Sequence, residues 1–224
     1  MDVLSFLKER TKFIRYFYET AAEPFRDTIR KIEAGEAPFD NPPGMEDGDP
    51  PFLVEWTDAD TALEMLGRTC LSMLSASLQL YFKTWEDELG VTWEKGEREK
   101  AFKNGFLHGY RMCFGEVLTQ SWDNCPANLD RLEQITLARN RDQHPDDIAT
   151  MRVSHTPKDR KKFPHLFFVS ETERKWCDDP VLEGIFWMNP EVHVLPDMLF
   201  SAIHEVETLA EWLEERILAV RNSR

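Results

Sequence analysis

The chain has 224 residues, of which 42% are hydrophobic and 30% charged. Those values suit one compact folded domain rather than a disordered chain. Lysine and arginine number 27 against 41 aspartates and glutamates, a formal net charge of −14. Such an acidic surface argues against a protein that coats DNA or a membrane, while leaving room for a local basic site.

The uncharged stretch from Thr69 to Phe82 is too short to cross a bilayer. The opening MDVLSFLKER lacks the apolar core of a signal peptide, so a cytoplasmic location is expected. Cys70, Cys113, Cys125 and Cys177 form no C-x-x-C pair, and the histidines form neither H-x-x-x-H nor H-E-x-x-H. Their spacing predicts no metal site and no cofactor. Cys70 and Cys113 fall in apolar helical stretches and are expected as core thiols.

In chain order, Val3, Leu4, Phe6, Leu7, Phe13, Ile14, Phe17, Tyr18, Phe25, Ile29 and Ile32 recur at spacings of three, four and seven and predict one face of a first helix from about Asp2 to Ala34. Pro24 is expected to kink or break it. An acidic, proline-rich loop follows at 35–52, with Pro38, Pro42, Pro43, Pro50 and Pro51; every charged residue from Glu33 to Asp60 is acidic. A second helix is predicted from the Thr57–Asp58 cap to about Glu88, with Gly90 as the stop. A third is predicted from about Lys95 to Trp122, and a fourth begins near Leu129 after a turn at Pro126. His165 to Ser170 reads as a strand, and Gly184 to Leu195 as one or two short strands. Pro196–Asp197 opens the last helix. The expected architecture is mainly α: one domain over 1–224, a bundle of about five long helices with a small β-element at about 165–195 before the last of them.

The stretch Leu137 to Met151 carries the sharpest chemistry. A helix runs through Arg139 and Asn140 and reaches His144–Pro145. A residue before proline is pushed out of the α region, so the helix is expected to break at His144 and free its imidazole to swing toward Arg139. The alternative is structural: Arg139 pairs with Asp142 or Asp146, and His144 caps a helix end.

Arg139-Asn140-Arg141-Asp142-Gln143-His144 resembles the signature of the HEPN superfamily, an Arg followed by a polar residue with four to six residues between Arg and His, placed late in a helical bundle as in that family. The resemblance implies a metal-independent endoribonuclease acting as a homodimer, in which two motifs form one composite site. It implies catalytic roles for Arg139, Asn140 and His144. It also implies a setting in toxin–antitoxin or antiphage defence, with an antitoxin or regulatory protein as partner. Members paired with nucleotidyltransferase antitoxins carry Tyr two residues after the His; here Asp146 stands there. HEPN-like domains also serve as non-catalytic dimerisation modules, which is the second reading. The roles make physical sense: His titrates near neutral pH and suits a base for the 2′-hydroxyl, and an Arg fork suits charge building on a phosphate.

Beside the motif the chain turns basic. Arg152, Lys158, Arg160, Lys161 and Lys162 face Asp159 alone, and this loop is the expected RNA-binding segment. Phe167, Trp176 and Trp187 are candidates for stacking on bases, with core packing as the alternative. His108 is expected on the surface, and His204 and Glu205 show no partner in sequence.

Overall fold

A computed structural model of the chain describes residues 2–42, 49–118, 122–144, 150–178 and 189–222. Helix α1 spans Val3–Ala34. Asp2 caps it by accepting from Ser5 N at 2.9 Å, and Gly35 ends it at φ 63°, a left-handed position that glycine takes without steric cost. The expected break at Pro24 does not occur, and the helix continues through it. Pro24 lies on the exposed side, where the lost hydrogen bond leaves a carbonyl open to water. The buried face, with Leu7, Ile14, Tyr18 and Ala22, packs on α2 and on the last helix.

Helix α2 covers Leu53–Glu88 and starts four residues ahead of the Thr57–Asp58 cap. Phe52 precedes it at φ 60° with no side-chain cap; instead its ring meets Phe39 edge-on at 5.0 Å, and Trp56 donates to Glu33 at 3.2 Å. Ring packing across the loop sets this end in place of a polar cap.

The predicted Lys95–Trp122 helix is two, α3 (Glu97–Phe102) and α4 (Phe106–Leu118), followed by a 3-10 turn at Trp122–Asn124. Between them Gly105 sits at φ 140° against the Glu133 carboxylate, where a side chain has no room. Glu133 accepts from Phe106 N at 3.0 Å and Leu107 N at 2.8 Å, so a carboxylate from α5 caps α4. Helix α5, Leu129–Gln143, starts where expected, with Asn128 accepting from Arg131 N at 3.0 Å.

The small β-element is not formed among the described residues. Ser154 and Glu191 make one isolated antiparallel bridge, and His165 to Ser170 is irregular. Residues 184–188, the first five of the second predicted strand region, lie outside the described residues. Two short helices form here, one before the predicted β region and one within it. α6, Pro157–Lys162, opens on a Thr156–Asp159 capping box, and α7, Glu171–Asp178, on reciprocal Ser170–Glu173 bonds of the same kind. The last helix, α8, is Pro196–Asn222, as expected.

The fold is thus a mainly α bundle, and five of its described helices exceed ten residues: α1, α2, α4, α5 and α8. Its core is aromatic, centred on Phe82 stacked on Tyr110 at 4.4 Å, with Phe114, Trp85 and Trp122 around it. Cys70 and Cys113 are buried in it, and burial pushes the Cys70 thiol up to about 11. Among the described residues no helix is long and apolar enough to cross a membrane.

Candidate nucleic-acid site

The motif occupies the last turns of α5. His144 closes the helix at φ −132°, ψ 65°, its N–H still donating to Asn140 O at 3.2 Å, and its side chain is exposed. Pro145 to Ala149, and with them the Asp146 alternative for Arg139, lie outside the described residues.

Neighbours within the motif are bound in contrasting ways. Asp142 faces α2, where Arg68 Nε meets it at 3.2 Å and Ser72 Oγ donates to it at 3.2 Å. Arg68 is itself buried and also donates to Met151 O at 2.8 Å. Arg141 points the other way, with its Nε 3.0 Å from Asp159 and Nη2 3.3 Å from Thr156 Oγ1. These two pairs fasten the end of α5 to α2 on one side and to α6 on the other. Arg139, half-buried, donates to Asn140 Oδ1 at 2.9 Å and forms no ion pair among the described residues. A neutral amide orients the guanidinium without cancelling its charge.

The basic segment is partly helical rather than a plain loop, and its five cations divide. Arg152 is paired with Glu191 at 3.2 Å. Lys162 is held by Glu133 at 3.1 Å and Asn104 O at 3.2 Å. Lys158, Arg160 and Lys161 form no ion pair among the described residues, and the Arg141–Asp159 bridge sets their helix beside the end of α5. The structure therefore sets Arg139, Asn140 and His144 in the last turns of α5 and, through the Arg141–Asp159 bridge, the helix of Lys158, Arg160 and Lys161 beside that end, with Arg152 and Lys162 taken up by carboxylates.

Of the other candidates, Phe167 lies under the Arg131 guanidinium at 4.0 Å, Trp176 is 39% exposed, and Trp187 falls outside the described residues. His108 and His204 are exposed. Glu205 does have partners: Arg131 at 2.9 Å and Asn128 N at 2.7 Å. Among the described residues no three His, Cys, Asp or Glu side chains are grouped so as to hold a metal ion.

Sequence reading missed a cluster behind the site. His193, 19% exposed, lies 2.9 Å from Glu64, 3.4 Å from Glu173 and 3.8 Å from Glu191. Asp60, Arg68 and Arg152 complete its charged surroundings. The bond to Glu64, with the fields of Glu173 and Glu191, holds His193 above the usual imidazole range, and the same bond holds Glu64 below the carboxylate range. Next to it, Gly67 packs directly on the Val194 carbonyl, so the clamp joins α2 to the segment leading into α8. His155 is opposite in kind: buried, it donates from Nε2 to Phe168 O at 2.9 Å, and burial lowers its pKa.

These two histidines give opposite pH dependences. The stability that His193 adds is complete below its ordinary pKa and fades as pH rises through its raised value. That of neutral His155 is complete above its ordinary pKa and fades as pH falls. His193→Gln is expected to remove the alkaline loss and keep the acid one, read as urea midpoints across about pH 5 to 9. An unchanged alkaline limb in the variant would show that the clamp is not charged.

Compared with protein families, curated proteins and solved structures, the chain finds no match.

Proposed function

We propose that the protein is a metal-independent endoribonuclease of HEPN type that works as a homodimer. The observation that carries this reading is the division within six residues. Arg141 and Asp142 are committed to holding α5 in place, while Arg139 keeps its charge unpaired by any described carboxylate and His144 is exposed at the end of the same helix. In this reading His144 takes the 2′-hydroxyl proton, the 2′-oxygen attacks phosphorus, and the bond to the 5′-oxygen breaks as that oxygen gains a proton. The products are a 2′,3′-cyclic phosphate and a 5′-hydroxyl. Arg139 offsets charge on the phosphate, and Asn140 holds Arg139 in position. One motif supplies one imidazole, whereas the reaction needs a base and an acid together; a second copy supplies the other. Lys158, Arg160 and Lys161 hold the strand through its phosphates, so binding weakens with salt. Following the resemblance, the setting is toxin–antitoxin or antiphage defence in the cytoplasm, with an antitoxin or regulatory protein as partner.

The test is incubation of single-stranded RNA with the protein in EDTA, with product ends read by mass spectrometry. Cleavage with 2′,3′-cyclic phosphate ends is expected. Activity lost on chelation and restored by a divalent ion, or 3′-hydroxyl products, would overturn the mechanism.

A second reading, a non-catalytic helical interaction module, is favoured by one observation. Phe6, Phe13, Tyr16 and Leu80 are 62%, 54%, 62% and 45% exposed on the α1–α2 face, next to hollows of 290 and 400 Å³ that share Phe6, Arg10 and Ser77. Apolar surface of this kind marks interaction sites. A chain that neither binds nor cuts RNA at low salt would fit this reading instead.

A further inference from the structure

On the side of α5 nearer its start, a cleft of about 420 Å³ opens between α5, the end of α6 and α7. Three cations from three elements line it: Arg131, Lys162 and Arg174. Arg131 and Lys162 are balanced by Glu205 and Glu133, but each keeps donors to spare. Arg174 forms no ion pair among the described residues and donates only to Phe167 O, at 3.1 Å. The Nε atoms of both arginines are buried and meet no acceptor among the described residues. Three cations converging on one cleft from three elements, one of them without an ion pair among the described residues, suit an anion there. Asp130, also in the lining, is the opposing charge, exposed and without an ion pair among the described residues.

The cleft and the motif share α5. Arg131 and Arg139 are eight residues apart on one helix, about 12 Å at 1.5 Å per residue. Lys162 belongs to the helix whose Lys158, Arg160 and Lys161 stand beside the α5 end. A line of cations therefore runs from the motif along α6 to the cleft.

We propose that this cleft is a phosphate-binding subsite, with Arg174 as its principal anion contact and Arg131 and Lys162 as supporting donors. Resting on the nuclease reading, its ligand is a phosphate of the strand that also reaches His144; a free nucleotide carries the same chemistry.

The experiment is calorimetric titration of the full chain at low salt, in a His144→Ala background so that RNA survives. The probes are inorganic pyrophosphate, AMP and an unphosphorylated tetraribonucleotide. Pyrophosphate is expected to bind, with about tenfold weaker affinity in Arg174→Ala. Asp130→Asn is expected to tighten it about threefold, a gain that a misfolded variant does not produce. If the tetranucleotide displaces pyrophosphate, the source is the strand; if only AMP does, the source is a free nucleotide. No pyrophosphate binding, or equal affinity in all three proteins, overturns the subsite. Retained pyrophosphate binding in a wild-type chain that cuts no RNA would instead remove the nuclease reading and leave the cleft.

Discussion

Replacing His144 by Ala is expected to slow RNA cleavage by about 10²–10⁴-fold, the range that a positioned general base supplies. The helical fold should not change, because the side chain is exposed and only the backbone N–H of His144 closes α5. Arg139→Ala is expected to cost about 10²–10³-fold, as for one donor removed from a developing anion. Arg139→Lys keeps the charge but loses the planar fork, so it should recover only part of that loss. Arg141→Ala is the internal control: it breaks the bond to Asp159, lowers stability, and leaves cleavage by the folded fraction largely intact. The measurement is a single-turnover rate at saturating RNA, with circular dichroism on each variant. Wild-type rates in His144→Ala or Arg139→Ala would remove that residue from the reaction. Equal losses in Arg139→Ala and Arg141→Ala would mean that the motif acts only as a structural brace.

The parts of this site that were legible in sequence are those fixed by local chemistry. The His144–Pro145 step stops α5 at the residue expected, and Asn128 caps its start. The apolar periodicity of α1 and α8 is likewise local and located both helices. What was not legible depends on residues far apart in the chain. Glu133 caps α4 from 26 residues away, and Arg68 reaches Asp142 across 74, so neither the break at Gly105 nor the anchoring of Asp142 leaves a short-range pattern. The strand expected at His165–Ser170 failed for a different reason. Its apolar residues Phe168 and Val169 are buried as a strand's would be, but the described chain offers one bridge rather than a partner strand. The Ser170–Glu173 spacing, a cap signal present in the sequence, starts α7 immediately after it and ends the extended stretch there.

Arg68→Ala is expected to be the most damaging single change outside the apolar core, at about 3 kcal/mol. Arg68 is 5% exposed, and its guanidinium serves Asp142, Met151 O and, at 3.8 Å, Glu64. Removing it leaves Asp142 half-buried with, among the described residues, Ser72 Oγ as donor, and deprives Glu64 of one of the three cations around it, the others being His193 and Arg152. A carboxylate left without its cation costs more than the pair itself contributed, because its desolvation stays uncompensated. Arg68→Ala combined with Asp142→Ala should therefore be more stable than Arg68→Ala alone, the sign of coupling that a double-mutant cycle reads. Activity should fall only with the folded fraction in both, as for Arg141→Ala, since Asp142 anchors the end of α5 to α2 without touching the reacting groups. Urea denaturation of the two single variants and the double variant measures the stability part, and the single-turnover rate in urea-free buffer the rest. A loss below about 1 kcal/mol in Arg68→Ala, or strict additivity in the double variant, would mean that the end of α5 is held by its packing on α2 rather than by this ion pair.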